Sequence, residues 1–367
     1  MKNTKKLYLI IIISMIMGIF YSCYEANILP KAFKRTFKDR GLEKAVCRSL
    51  GKKAGTLTED DLKKVYELRT YSNDKIKNLE GIDLLCNLRK LRLRTAPIVK
   101  NIELIGELKD LQNLRIGTWS SELQIDDISF IEELDKLRSF EIYSAHIESN
   151  DLSPISKLTN LTMLELRLEN EITSLEFLTN SNDLYMVRLG NLKVKDLKGL
   201  NNVENLHIED SEIEDLRQLN NIGGLMSLTI EGAKINNINE FYIKPSLERI
   251  EITKTNIDNV DFLKDCTTLK EVKLYENKIK DIKGLRNLEN LEKLDLRKNN
   301  IEDISDLENL KNLYKLDISL NKIKYVGPVT KIDKLIYLNT MGNDFIDKDK
   351  VDLNVYKVYR ESSLFTP

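Results

Sequence analysis

Side chains that could perform catalysis are scarce in this sequence. Histidine, the side chain that most readily exchanges a proton near neutral pH, occurs only at His146 and His207, which lie on well-separated repeats and cannot form a charge relay or a metal pair together. The acidic clusters at residues 59–61 and 132–133 are typical of solvated faces or helix starts, and no glycine-rich phosphate loop is present. The sequence therefore predicts a non-enzymatic protein with no cofactor and no metal site.

Four cysteines are the other candidates for reactivity. Cys266 occupies a leucine position of the repeat described below, so we expect a buried structural thiol. Cys47 and Cys86 either form a disulfide in an oxidising compartment or remain free. Cys23 follows an apolar N-terminal run and is discussed with that segment.

The overall charge excludes one large class of partner. Lysine and arginine number 57 and aspartate and glutamate 58, which gives a formal net charge of −1. Nucleic-acid-binding domains normally carry a strongly basic balance, so we expect no nucleic acid partner.

A regular leucine pattern predicts the fold on which any binding site of the chain would lie. The motif LxxLxL recurs at residues 269–274, 291–296 and 313–318, with a spacing of 22 residues. This period is typical of a leucine-rich repeat, in which a short strand carries the LxL pair and the rest of the unit turns back. One repeat buries too little apolar surface to fold alone, so the repeats must stack into a solenoid with one parallel sheet.

The same pattern predicts the whole sheet. The buried pairs that we assign to successive strands are Leu68/Thr70, Leu91/Leu93, Leu114/Ile116, Phe140/Ile142, Leu164/Leu166, Val187/Leu189, Leu206/Ile208, Leu228/Ile230, Ile250/Ile252, Val272/Leu274, Leu294/Leu296, Leu316/Ile318 and Leu338/Thr340. Asn277, Asn299, Asn321 and Asn343 each follow a pair by three residues, where the amide can satisfy backbone groups of adjacent turns. The residue between the members of a pair faces the concave side, so we expect Asp295 to be solvated.

These repeats resemble the 22-residue type of the internalins and related bacterial surface proteins over roughly residues 68–345. The resemblance implies an α/β leucine-rich-repeat solenoid whose convex side carries 3₁₀ or irregular turns. The segment FKDRGLEKAVCRSLGKKAGTLTEDDLKKVYEL resembles the helical N-terminal cap of such proteins. We accordingly divide the chain into a signal or anchor segment (1–22), a tether (23–38), a helical cap (39–67), the repeats (68–345) and a C-terminal cap (346–367).

The N-terminal segment predicts export. Three lysines among the first six residues precede an uncharged run from Leu7 to Tyr24, which is typical of a secretory signal or an N-terminal anchor. Cys23 follows the small residue Ser22 and resembles the cleavage cysteine of a bacterial lipoprotein. A lipid anchor at Cys23, an uncleaved membrane anchor and simple secretion all place the solenoid at the membrane or cell surface.

Three consecutive strands place arginine at the central concave position. Arg69, Arg92 and Arg115 should therefore lie side by side at the ~4.8 Å spacing of neighbouring strands, with Lys90 and Arg94 next to them. Like charges that face each other are destabilising. The row is either spread into solvent or kept for an acidic partner.

Other concave positions beside the row hold side-chain types that are enriched in interfaces. They are Tyr143, Met163, Arg167, Met186 and Arg188. The longest interval between repeats, from residue 114 to residue 140, contains the single tryptophan, Trp119. Insertions between repeats often belong to the binding surface, although drift in a tolerant scaffold gives the same irregularity.

The leading hypothesis is an exported, membrane-anchored leucine-rich-repeat protein without catalytic activity. It would bind a protein or a surface polymer, an acidic ligand among the options, through the concave face of its N-terminal half. The alternative is a structural or assembly component of the cell envelope.

Overall fold

The computed structural model describes residues 37–118, 122–195, 197–235 and 246–347. The expected signal segment with Cys23, nearly all of the tether, Trp119 and most of the expected C-terminal cap lie outside the described residues.

Two helices precede the first repeat: α1 (Arg40–Ser49) and α2 (Glu59–Leu62). Asp39 caps the N-terminus of helix α1, and its carboxylate accepts hydrogen bonds from the N–H groups of residues 41 and 42. Its apolar face, which includes Leu42 and Val46, is buried as part of the continuous core. The helices thus cover the first coil, which would otherwise expose apolar side chains.

Strands recur with the predicted period. In the described residues they are β1 (Glu67–Arg69), β2 (Lys90–Leu93), β3 (Asn113–Gly117), β4 (Leu123–Ile125), β5 (Ser139–Ile147), β6 (Met163–Leu168), β7 (Met186–Gly190), β8 (Lys193–Val194), β9 (Asn205–Glu209), β10 (Glu212–Ile213), β11 (Ser227–Glu231), β12 (Lys234–Ile235), β13 (Arg249–Thr253), β14 (Glu271–Lys273), β15 (Lys293–Asp295), β16 (Lys315–Asp317) and β17 (Tyr337–Asn339).

One long parallel sheet contains the strands that carry the predicted LxL pairs. Its order is β1-β2-β3-β5-β6-β7-β9-β11-β13-β14-β15-β16-β17. Buried residues of equivalent position lie opposite one another, as Leu294 does with Val272 and Leu316. The predicted solenoid fold and strand register are confirmed.

A short second strand follows some strands of the long sheet. β4 pairs with the second half of β5, and β8, β10 and β12 form a separate three-stranded parallel sheet. β4 comes from the long interval that contains Trp119, and its residues Leu123 and Ile125 are buried. The described part of this insertion therefore lengthens the sheet and does not form a loop over the concave face.

The return segments contain 3₁₀ turns, as the resemblance to internalins implied. Those described are Ser72–Asp74, Ile82–Leu84, Ile102–Glu107, Ser129–Glu133, Ser153–Lys157, Glu176–Leu178, Arg217–Asn221, Asp261–Leu263, Lys283–Leu285, Ser305–Asn309 and Gly327–Lys331. None of the helices in the described ranges is long and apolar enough to cross a membrane.

The predicted asparagine ladder is present in the last repeats. The amide of Asn299 donates to the carbonyl oxygens of Leu274 (2.8 Å) and Leu296 (2.9 Å) and accepts from the N–H of Ile279 (3.0 Å). Asn277, Asn321 and Asn343 bond in the same manner. Each asparagine thus joins its own coil to the preceding one.

The three described cysteines are free thiols. Cys47 is buried in the cap and Cys86 is exposed, so the structure does not contain the disulfide that the sequence left open. Cys266 is 0% exposed, which confirms the expected buried thiol, and burial raises its pKa to about 12.

Candidate ligand-binding surface

The register of the sheet fixes the order of the side chains along the middle of the concave face. From β1 to β17 the central residues are Arg69, Arg92, Arg115, Glu141, Glu165, Arg188, His207, Thr229, Glu251, Lys273, Asp295, Asp317 and Asn339. Arg69, Arg92 and Arg115 are direct neighbours on adjacent strands, as the repeat pattern predicts. The run of positive charge ends at Glu141.

Four arginines surround a small recess at the first three strands. This arginine cluster consists of Arg69, Arg92, Arg94 and Arg115. The recess is completed by Thr70, Leu93 and Gly117 and contains no acidic side chain. Arg69 and Arg92 are exposed, whereas Arg94 and Arg115 are partly buried.

The two central members of the cluster lack a counter-ion. Within the described residues, the guanidinium groups of Arg92 and Arg94 take part in no ion pair and no hydrogen bond. Arg69 likewise has no acidic partner there. The result is a surface with three uncompensated positive charges.

The two flanking members are held by tyrosine rings. The guanidinium carbon of Arg69 lies 5.3 Å from the ring centroid of Tyr71. That of Arg115 lies 4.3 Å from the ring centroid of Tyr143, and its Nη1 is 3.4 Å from a carboxylate oxygen of Glu141. Cation–π contacts of this kind restrict an arginine without neutralising it, so both flanks of the recess are ordered before any ligand arrives.

The prediction that Tyr143 is an exposed contact residue is wrong. Only 3% of Tyr143 is exposed, because the side chain of Arg115 lies over its ring. Its hydroxyl donates to Glu141 at 2.8 Å, and burial together with this carboxylate raises the pKa of Tyr143. Tyr143 is therefore a support for Arg115 and Glu141.

Two small residues that the sequence did not single out shape the recess. The hydroxyl of Thr70 accepts from the N–H of Arg94 at 2.7 Å and donates to the Arg94 carbonyl oxygen at 3.0 Å. Gly117 has a positive φ of 92°, and a Cβ there would lie 2.1 Å from the carbonyl oxygen of Tyr143. The only available signal for Thr70 was a polar residue at a leucine position of the repeat.

The remaining predicted contact residues lie two or three strands away. Met163 and Met186 are partly buried and pair with each other in the register of β6 and β7. Arg167 and Arg188 lie 2.8 and 3.9 Å from the oxygens of Glu165, which is 2% exposed. These two arginines are thus compensated by an acid, unlike Arg92 and Arg94.

A second acid and a histidine complete this neighbouring group. Arg167 also pairs with Glu209, and Nε2 of His207 lies 3.5 Å from Glu209. Burial, Arg167 and Arg188 lower the pKa of His207. His207 is therefore neutral at pH 7 and adds no charge to the face.

The C-terminal half of the face balances its charges internally. Lys273 is 3.1 Å from Glu251, and Nε of Arg297 is 3.3 Å from Asp295. Asp295 was expected to be solvated but is only 1% exposed, because Arg297 and neighbouring coils cover it. Burial raises its pKa to about 7, and the charge of the adjacent Asp317 acts in the same direction.

The described residues contain no group of three or more histidine, cysteine, aspartate or glutamate side chains that could hold a metal ion.

Comparisons with known proteins agree with the repeat architecture. A family model described as "Leucine Rich repeats (2 copies)" matches residues 289–351. No curated protein sequence matches the chain. The family model thus matches the C-terminal, regular end of the repeats.

Solved structures match over much more of the chain. An internalin (inlF) from Listeria monocytogenes is 28% identical with a TM-score of 0.66, and the match covers 85% of this chain and 98% of that one. The functional domain of InlJ from Listeria monocytogenes is 20% identical with a TM-score of 0.63, over 86% of this chain and 71% of that one. TLR13 in its complex with ssRNA13 is 18% identical with a TM-score of 0.63, over 78% of this chain and 45% of that one. The matches to InlJ and TLR13 show the fold alone. The match to the inlF internalin, at 28% identity, shows that this chain is similar to an internalin.

Proposed function

We propose that this protein is an exported, membrane-anchored binding protein that uses the arginine cluster at the N-terminal end of its concave face to hold an acidic protein or surface polymer. It acts without catalysis. The internalin-like architecture supports a role in protein or polymer binding at the cell surface, and the apolar run before Cys23 supports a lipid anchor.

One observation carries the proposal: the basic central residues of the sheet differ in whether an acid accompanies them. Arg115, Arg188 and Lys273 lie 3.4, 3.9 and 3.1 Å from a carboxylate oxygen. Arg69 and Arg92 have no such partner among the described residues. Arg69 and Arg92, which lack counter-charges among the described residues, also line a recess.

The missing counter-charges have an energetic consequence. Two like charges 4 Å apart repel by about 1 kcal/mol in bulk water and by about 4 kcal/mol at the effective dielectric constant of a protein surface. An anionic ligand would remove this repulsion on binding. It would also be steered toward the cluster over a screening length of ~8 Å at physiological salt.

A crosslinking pull-down from an envelope extract, analysed by mass spectrometry, tests the proposal. The wild-type protein and the control variant K273Q, which changes a paired lysine on the same face, should capture the same ligand. The double variant R92E/R94E should lose it, and surface plasmon resonance should show a slower association rate whose salt dependence is reduced. Equal capture by R92E/R94E would remove the cluster from the binding surface. Recovery only within large assemblies, with any variant, would favour a structural role in the envelope.

A further inference from the structure

We infer that the arginine cluster recognises a tetrahedral oxyanion, a phosphate or sulfate group, rather than the carboxylates of an acidic peptide. This inference rests on the proposed function and narrows the ligand to a surface polymer that carries such groups. It follows from the number and position of the arginines around the recess and from the lack of acidic partners for three of them among the described residues.

The four arginines of the cluster come from three adjacent coils and line the same small recess. Each guanidinium presents several N–H donors in a planar fork that matches phosphate and carboxylate oxygens. A carboxylate offers two oxygens in one plane, whereas a phosphate or sulfate ester offers three in a tetrahedral arrangement. Donors that approach from several sides are better satisfied by the tetrahedral group.

The positive charge of the cluster also favours such a group. Among the described residues, three members of the cluster have no acidic partner and the recess contains no acidic side chain. A phosphate monoester carries a charge of about −1.5 to −2 at pH 7, against −1 for a carboxylate. The more highly charged group therefore neutralises more of the cluster from a single position.

Small residues shape the recess. Gly117 lines it, and the close approach of the Tyr143 carbonyl oxygen leaves no room for a Cβ at that position. The hydroxyl of Thr70 is engaged on both sides by the backbone of Arg94, which fixes that coil. The recess is thus small, and four of its seven lining residues are arginines.

The four arginine side chains differ in how firmly they are held. Tyr71 and Tyr143 hold Arg69 and Arg115 at the two flanks, while Arg92 and Arg94 between them are free to turn toward a ligand. Binding then immobilises two long side chains instead of four, which lowers the entropic cost of forming the complex.

Isothermal titration calorimetry at constant ionic strength tests the inference with inorganic phosphate, sulfate and acetate as probes. We expect saturable binding of phosphate and sulfate that is at least about tenfold tighter than that of acetate. R92Q should weaken phosphate binding about tenfold or more, as expected for the loss of a charged hydrogen bond. K273Q should bind phosphate like the wild type, and R92K should fall between the wild type and R92Q, because it keeps the charge without the fork.

A comparison of polymers identifies the source of the group. If inorganic polyphosphate binds much more tightly per phosphate than free phosphate does, the ligand is a polymer-borne group that crosses several coils. If the affinity per phosphate is equal, the ligand is the free anion. Poly-glutamate that binds as tightly as polyphosphate would overturn the inference, as would equal affinities for acetate and phosphate or a phosphate affinity that R92Q leaves unchanged. Circular dichroism on each variant establishes that it is folded.

The inference and the proposed function can fail separately. If the pull-down recovers a ligand through Arg92 and Arg94 that phosphate does not displace, the proposed function stands and the oxyanion inference is wrong. If phosphate binds the recess and no envelope ligand depends on the cluster, the site exists but the proposed function is wrong.

Discussion

The two ends of the concave face carry similar numbers of charges on the same sheet but arrange them differently. At β15, Arg297 covers the buried Asp295 at 3.3 Å. At β2, Arg92 and the neighbouring Arg94 have no acidic partner among the described residues. A repeat can thus present charge to a ligand or neutralise it within the scaffold, and the choice depends on one or two residues per strand.

Backbone support differs between the same two regions. The asparagine ladder connects the coils from Asn277 to Asn343, whereas Ala145 and Ala233 occupy the equivalent position in earlier repeats. The regular half is stabilised by polar bonds that repeat from coil to coil. The irregular half joins its coils through side-chain bonds at less regular positions, such as those of Thr70 and Asn170.

The largest effect should come from the apolar core, which both halves share. Leu294 is 1% exposed and lies between two coils, so Leu294→Ala should lower the free energy of unfolding by ~2–5 kcal/mol. Leu91→Ala in the N-terminal half should cost a similar amount, because Leu91 is buried to the same degree. Urea denaturation followed by circular dichroism measures both. A loss below ~1 kcal/mol at either position would show that the halves do not share one core.

The next effect should be specific to the C-terminal half and depend on pH. The pKa of Asp295 is raised in the folded protein to about 7 from 3.8, so the folded state binds the proton more tightly than the unfolded state. Stability contributed by this group is present below pH ~4 and is lost as pH rises to about 7. Asp295→Asn should therefore stabilise the protein at pH 8 by roughly 1–4 kcal/mol.

Thermal and urea unfolding at pH 5, 6, 7 and 8 measure this dependence. Glu289→Gln, at an exposed carboxylate, is the control and should change stability by less than ~0.5 kcal/mol. A loss of stability in Asp295→Asn at pH 8 would mean that the charged carboxylate contributes more through Arg297 than its burial costs.

A smaller effect should distinguish the hydrogen bonds that support the recess from the positive charge of its arginines. Thr70→Val keeps the shape of a fully buried residue but removes the two hydrogen bonds to Arg94. We expect a loss of ~1–3 kcal/mol in unfolding free energy, because a buried N–H is left unpaired, together with weaker phosphate binding by calorimetry. Thr70→Ser, which keeps the hydroxyl, should retain phosphate binding. Equal binding by both variants would show that Arg94 needs no such support.

The smallest effect should have opposite signs in the two halves. Arg92→Gln removes repulsion and should stabilise the protein by a few tenths of a kcal/mol at low salt, with no effect at 1 M salt. Lys273→Gln removes an attractive pair and should destabilise it by ~0.2–1 kcal/mol. Melting temperatures at 20 mM and 1 M sodium chloride compare the two. Shifts of the same sign would contradict the difference in charge balance between the halves.

The sequence was sufficient for the strands of the long sheet and for the face that most of their side chains occupy, but it did not predict the short strands β4, β8, β10 and β12. The LxL pairs predicted the strands and their register, because side chains alternate between the two faces of a strand and the repeat length fixes which residues become neighbours. That is why Arg69, Arg92 and Arg115 could be placed side by side from their positions in the repeat.

The degree of burial on the concave face could not be obtained in this way. Tyr143 and Asp295 both occupy concave positions, yet each is covered by a long arginine side chain, Arg115 and Arg297 respectively. Coverage depends on the length and rotamer of a nearby side chain, which lies on the preceding coil for Tyr143 and two residues along the same coil for Asp295, and the repeat pattern contains no information about either. The role of Thr70 was hidden for a related reason, since its hydroxyl acts on a backbone 24 residues away.

The asparagine ladder gives the solenoid a direction of mechanical failure. Each ladder asparagine bonds both its own coil and the preceding one, so peeling one coil from another in the C-terminal half breaks side-chain bonds in addition to the sheet. We expect coils that lack such bonds to separate at lower force. A ligand that bridges Arg69, Arg92 and Arg115 would fasten the first three coils to one another in a comparable way, by contacts with side chains of adjacent strands.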